Sequence, residues 1–262
     1  MKRLLVIAGS DSSGGAGIQA DIKTAQAFGV YAQTAITAVT VQNTLGVTGA
    51  HIVPPDIVKA QIIACLSDIG ADAIKTGMLG SADMVEMVAK TLAEHAPNIP
   101  LVVDPVMVAK GGSKLLDEAA VAVMKQQLLP LASVITPNLP EAEVLTGIYP
   151  QSEHRIRNTA MVFKMLRVEN VLFKGGHGGG EVVRDVLWSE GEFLPFEAPR
   201  QDTVHTHGTG CTLATAIACG LAQDLSLRDA VGRAHIFVQN AIRTAPGLGR
   251  GHGPLNHKAQ DV

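Results

Sequence analysis

Three short runs decide how this chain folds: Leu101-Val102-Val103-Asp104-Pro105, Val134-Ile135-Thr136-Pro137-Asn138 and Val171-Leu172-Phe173-Lys174-Gly175-Gly176. Each is a handful of β-branched or large apolar residues followed at once by a polar side chain and then by Pro or Gly. Strands without polar alternation are buried on both faces, which is the habit of parallel sheets. Between the runs, Glu118–Leu129 and Glu153–Arg167 carry apolar residues at helical spacing. Outward from this centre the alternation repeats. Leu4–Ala8 is a strand followed by a helix from about Gly15 to Phe28. Thr34–Val41 and Ala73–Lys75 are strands, and Asp56–Ile69 and Ala82–Glu94 are helices. Repeated switching between the two periods is the mark of βαβ units, so the expected class is α/β with a parallel sheet. Val182–Phe196 reads differently, as two antiparallel strands turning at Glu190-Gly191, and helices over Gly210–Ala222 and Leu227–Thr244 close the chain.

No linker or repeat divides the 262 residues, so a single domain over 1–262 is expected, with the Gly/His/Pro-rich tail 246–262 loosely ordered. Aromatic residues are only 3% and charged residues 17%, against 47% hydrophobic. The core must therefore be built from Val, Ile, Leu and Ala. A net charge of −3 with no run of Lys/Arg argues against nucleic-acid binding. No apolar run approaches the roughly 18 residues of a membrane span, and Leu4–Ala8 is too short for the core of a signal peptide. Three cysteines (Cys65, Cys211 and Cys219) with no C-x-x-C pair suit a reducing compartment, and a cytoplasmic location is expected.

Ligands of open α/β sheets bind beyond the carboxyl ends of the strands. Here those ends carry Gly9-Ser10-Asp11, Gln42-Asn43, Thr76-Gly77-Met78, Asp104, Asn138 and Lys174, and the loop His207-Gly208-Thr209-Gly210-Cys211 joins them ahead of an Ala-rich helix. Two glycines opening a helix let backbone N–H groups converge where the helix dipole is positive, which forms an anion hole for phosphate. Neither a Walker-type G-x-x-x-x-G-K-[ST] nor a strand–G-x-G-x-x-G–helix unit occurs. Phosphoryl transfer needs an anion hole, a cation, a metal ion and a group to deprotonate the acceptor. Lys174 is the candidate cation. Asp104 and the turn Asn138-Leu139-Pro140-Glu141 are candidates for Mg²⁺ held through water. Cys211, in the first turn of a helix where the dipole lowers a thiol pKa, is the candidate base. Taken singly each has an ordinary reading: a helix cap, a solvated lysine, a turn carboxylate.

Taken in order, the motifs resemble a family. Ala8-Gly9-Ser10-Asp11-Ser12-Ser13-Gly14-Gly15-Ala16-Gly17-Ile18-Gln19-Ala20-Asp21, Ala35 to Thr44, Lys75-Thr76-Gly77-Met78-Leu79, Val103-Asp104-Pro105-Val106-Met107, Thr136-Pro137-Asn138 with Glu141, and His207 to Thr212 are similar to blocks of the bacterial hydroxymethylpyrimidine/phosphomethylpyrimidine kinases, in the ribokinase superfamily. The resemblance implies a three-layer α/β/α ribokinase-like fold with a mostly parallel central sheet. It implies an ATP- and Mg²⁺-dependent transfer to the 5-hydroxymethyl group of 4-amino-5-hydroxymethyl-2-methylpyrimidine, and then to its monophosphate, in thiamin biosynthesis. A pyridoxal or pyridoxine kinase, or a dual enzyme, is the alternative. The resemblance further implies that Gln42 pairs with the pyrimidine, that Gly9, Ala16, Met78 and Val106 line the ring pocket, and that Asp21 helps hold the substrate. Residues 106–115, with Gly111-Gly112, would form a flap. Lys174, Asn138, Thr206, Gly208, Thr209 and Gly210 would hold ATP, with Lys174, Gly208, Gly210 and Cys211 catalytic and Asp104 and Glu141 at the metal. A homodimer is implied as well. Relatives often carry Lys where His235 stands, a departure that touches one nucleotide contact.

Overall fold

The structure, a computed structural model, describes residues 1–108, 116–177 and 179–259. One nine-stranded sheet runs through the molecule in the order β3-β2-β1-β4-β5-β6-β7-β8-β9. The strands are β1 (Arg3–Asp11), β2 (Tyr31–Asn43), β3 (Gly46–Ile52), β4 (Ala73–Thr76), β5 (Leu101–Val103), β6 (Val134–Ile135), β7 (Val171–Phe173), β8 (Val182–Ser189) and β9 (Glu192–Pro199). The six from β2 to β7 are parallel, and β3, β8 and β9 run antiparallel at the two edges. The helices are α1 (Gly17–Ala27), α2 (Pro55–Asp68), α3 (Ala82–His95), α4 (Glu118–Val123), α5 (Leu139–Thr146), α6 (Glu153–Met165), α7 (Thr209–Ala222) and α8 (Leu227–Arg243). This is the expected α/β/α sandwich. No helix among the described residues is long and apolar enough to cross a membrane.

The strand period of two divides the core into two layers. Leu5, Ile7, Ile74, Val103, Ile135, Val171 and Phe173 pack with α2 to α6. Leu4, Val6, Ala8, Ala73, Val102, Val134 and Leu172 pack with α1, α7 and α8. Carrying the alternation past the strand ends puts Lys75, Asp104, Thr136 and Lys174 on the α7 side. Thus the polar residues that close the strands face one helix N-terminus.

Three expectations need correction. The helix over Glu118–Leu129 is broken: α4 ends at Val123 and continues as a π-turn over Met124–Leu128. Strand β3, paired antiparallel to β2, and the short helix α5 were not expected as elements. The tail is not loose as far as it is described. Leu255 and His257 are buried, Pro254 pairs with His207, and Gly251 and His252 donate backbone N–H groups to Thr44.

Candidate active site

The rim has two ends joined at the start of α7. At the first end, Lys174 Nζ donates to Asp104 Oδ1 at 2.8 Å and lies 3.7 Å from Glu141 Oε2. Thr136 Oγ1 also donates to Asp104 Oδ1. Burial alone would depress the Lys174 ammonium, but the Asp104 and Glu141 charges raise its pKa above the ordinary value. Burial pushes the Glu141 carboxyl up, against the pull of Lys174. Asn138 and Glu141 form a reciprocal capping box on α5: Asn138 Oδ1 accepts from the Glu141 N–H, and Glu141 Oε2 accepts from the Asn138 N–H, both at 2.8 Å. A side chain at Gly210 would sit 3.4 Å from Lys174 Nζ and 3.5 Å from Asp104 Oδ2, so the first turn of α7 lies directly over this charge cluster. Gly208, with φ 85°, caps that helix without a side chain. No side chain of the cap accepts from the N–H groups of that first turn, and the Thr209 N–H donates to Thr206 O.

At the second end, Gly9 and Met78 touch: a Cβ on Gly9 would meet Met78 Sδ at 3.3 Å. Ala16 donates its N–H to Asp11 Oδ2, and Gln42 Nε2 lies 3.3 Å from His207 Nε2, which is itself 2.8 Å from Asp11 Oδ2. Burial would raise the Asp11 pKa, yet His207, Ser13 and Ala16 together hold it down at about 2. A Cβ on Gly208 would fall within 1.9 Å of Gly15 O, and one on Gly15 within 2.5 Å of His207 Cδ2. The loops 11–17 and 207–208 are therefore in direct backbone contact, and only glycine permits it. Cys211 stands between the two ends, half-buried, with the Gly17 N–H donating to its thiol.

The structure thus brings together Gly9, Ala16, Met78 and Gln42 at one end and Lys174, Asp104, Asn138, Glu141 and Gly210 at the other, with Gly208, Thr209 and Cys211 between. Val106 is half-buried two residues past Asp104, and Thr206 is half-buried ahead of the α7 turn. Residues 109–115 of the expected flap, Gly111 and Gly112 included, lie outside the described residues. Two expectations fail. Asp21 has no exposed surface and is bonded to Lys75 and Thr215, so it lies beneath the rim and does not line it. The Cys211 thiol is not depressed as its place in the first turn of a helix predicts: burial dominates and pushes it up to about 11. Sequence reasoning missed Asp11 and His207 as a pair, and Lys75. The signal for Lys75 was present, as a lysine inside the strand Ala73-Ile74-Lys75-Thr76. His235 faces Asp185 at 3.4 Å, and Asp185 accepts from the Gly175 N–H, so His235 meets the lysine loop through a carboxylate.

The phosphomethylpyrimidine kinase family model matches residues 11–256, which takes in the site residues named above other than Gly9. The chain belongs to this family. The hydroxymethylpyrimidine/phosphomethylpyrimidine kinase of Haemophilus influenzae is 48% identical over 99% of this chain and 97% of its own. The thiamine biosynthesis bifunctional protein ThiED of Geobacter sulfurreducens is 51% identical over 99% of this chain, which spans only 53% of that longer protein. Among solved structures, an ADP complex of Bacillus subtilis pyridoxal kinase superposes with a TM-score of 0.91 at 38% identity, covering 99% of this chain and 98% of its own. The phosphomethylpyrimidine kinase of Clostridium difficile gives 0.82 at 40% identity, covering 92% of this chain and all of its own. The family is thus a kinase family with the ribokinase-like fold, and the chain is a phosphotransferase.

Proposed function

We propose that this chain phosphorylates the hydroxymethyl group of 4-amino-5-hydroxymethyl-2-methylpyrimidine with ATP and then converts the monophosphate to the diphosphate. The observation that carries the reading is the convergence of Gly9, Met78, Ala16 and Gln42 at one end of the rim, joined through Cys211 to Lys174 beneath the start of α7, whose N-cap Gly208 has no side chain. The first part suits a heteroaromatic ring and the second a phosphate chain. An amide offers one donor and one acceptor together, which is what the ring nitrogen and amino group of the pyrimidine require. Lys174 and the N–H groups of Gly208, Thr209 and Gly210 neutralise charge on the transferred phosphoryl, with Asn138 and Thr206 beside the nucleotide. In the first transfer the substrate oxygen forms its bond to the γ-phosphorus while the bond to the β-phosphate oxygen breaks. The hydroxyl proton passes to Cys211, and ADP leaves. In the second, a phosphate oxygen of the monoester is the nucleophile.

The donor set bears on Mg²⁺. Lys174 lies between Asp104 and Glu141, and among the described residues no group of three or more His, Cys, Asp or Glu is placed to hold a metal. Two carboxylates suit a hydrated ion completed by waters and phosphate oxygens, the coordination Mg²⁺ prefers. Bound there, it would neutralise phosphate charge. Homodimerisation and a cytoplasmic location belong to the same reading.

The test is a product assay with the pyrimidine alcohol, ATP and Mg²⁺. Both mono- and diphosphate are expected, and folded protein that forms neither overturns the reading. The pyridoxal kinase among the structural neighbours supports a second activity on pyridoxal, and kcat/KM for the two alcohols decides between them.

A further inference from the structure

Lys75 is a charged side chain with no exposed surface at all. It extends from β4 on the same face as Ala73, beneath α1 and α7. Its Nζ donates to both oxygens of Asp21, at 3.0 and 2.9 Å, and Thr215 Oγ1 donates to Asp21 Oδ1 at 2.6 Å. Asp21 is one helical turn after Gly17 on α1, and Thr215 one turn after Cys211 on α7. The two helices are therefore tied at successive turns, Gly17 to Cys211 above and Asp21 to Thr215 below. A Cβ on Gly77 would lie 3.0 Å from Lys75 Nζ, so the ammonium sits directly under the backbone that leads into Met78.

A buried ion pair is poor economy as a source of stability, because an apolar pair of the same volume commonly does as well or better. Neither Lys75 nor Asp21 reaches the rim. We propose that Lys75 is a positioning residue for phosphoryl transfer: through Asp21 and Thr215 it locks the first turns of α7 against α1, and its ammonium supplies the positive charge beneath Cys211 that favours the thiolate. The charged groups that face Cys211 are Lys75 from β4, Asp21 from α1, Asp104 after β5 and Lys174 after β7. Of the charges acting on the thiol, Lys75 is the strongest and, with Lys174, opposes the effect of burial, whereas Asp21 and Asp104 reinforce it. The proposal rests on Cys211 as the proton acceptor, so its test is read on the thiol itself.

The rate at which iodoacetamide alkylates Cys211, followed by mass spectrometry on its own peptide against pH, gives the midpoint of thiolate formation in the intact chain. Lys75→Met is expected to raise that midpoint by about one pH unit or more, and to lower kcat about tenfold at neutral pH with KM for ATP nearly unchanged. Asp21→Asn is expected to move the midpoint down. The double variant, which strands no charge and keeps the test alive if Lys75→Met does not fold, moves it up by less than Lys75→Met. Loosened packing would speed alkylation in every variant alike. Midpoints that stay put, or that move in one direction in all three, overturn the proposal. Full activity in Cys211→Ala would instead overturn the proton-acceptor reading, while the opposed shifts would stand.

Discussion

Cys211 and Lys174 have opposite electrostatic problems. Lys174 is buried beside two carboxylates, so its charge is secured. Cys211 is half-buried, and its desolvation outweighs the Lys75 charge and the Gly17 N–H that favour the thiolate, so its thiol stands at about 11. If the thiolate takes the substrate proton, kcat rises about tenfold per pH unit as the pH climbs toward that value. Cys211→Ala is expected to lower kcat about a hundredfold or more and to flatten the profile, with ATP still bound in a calorimeter. A profile that keeps its slope in the alanine variant excludes the role. Lys174→Met is expected to cost a similar factor in kcat and to weaken ATP as well, because it removes a charge made for the phosphates and leaves Asp104 unpaired. Lys174 was legible as a candidate from its position after a strand, and Cys211 from its place in the first turn of a helix behind two glycines. Their protonation states were not, because desolvation depends on what packs over them.

At the level of elements, the start of α7 and the start of α5 carry the site. Gly208 combines a left-handed backbone with a space only a hydrogen fits, since a Cβ would collide with Gly15 O. Gly208→Ala should therefore destabilise the fold by about 2 kcal/mol or more, lowering Tm by several degrees in calorimetry, and should separate the loop 11–17 from 207–208. Asn138→Ala removes half of the α5 capping box and should cost about 1 kcal/mol. Its larger effect is expected on turnover, because Glu141 loses the geometry that sets it beside Lys174. A variant with lowered Tm and unchanged kcat would show the box to be structural alone. The capping box is a sequence pattern, Asn138 followed three residues later by Glu141, but α5 is short enough that the pattern reads equally as a turn. Strand β3 was hidden for a different reason. Its residues Gly46-Val47-Thr48-Gly49 have no strand signal of their own and pair because β2 offers an edge.

Over the whole molecule, the tail is a strap. It crosses from the end of α8 to Thr44, then to His207, and ends with His257 against Thr212 Oγ1 at 3.0 Å. Removing residues 248–262 should expose the Thr44 and His207 loops and raise KM for the pyrimidine more than KM for ATP. An unchanged pyrimidine KM would sever the strap from the site. Burial, with a smaller push from Lys23, lowers the His257 pKa from the ordinary 6.5 to about 4. The unfolded chain therefore binds the proton more readily than the folded one. His257 contributes stability that is complete above about 6.5 and is lost as the pH falls toward 4, on the order of 3 kcal/mol in all. Urea midpoints measured across that window should fall in the native chain and fall less in His257→Gln, which keeps a hydrogen-bonding group for Thr212.

What the sequence determined by itself is what is written in local period. Apolar runs bounded by Asp-Pro, Pro-Asn and Gly-Gly specify parallel strands, and the alternation continued past their ends puts Asp104, Thr136 and Lys174 on one side. The order of motifs then specifies the family. Only the tertiary structure decided which polar groups meet and which lose their water. It paired Asp11 with His207 across most of the chain, sank Asp21 onto Lys75, raised the thiol that the helix dipole was expected to lower, and bound down a tail whose composition suggested freedom. Each is a matter of burial or of contact between residues far apart in the chain. The free energy of either depends on what is packed on all sides of a group, which no local window of sequence contains.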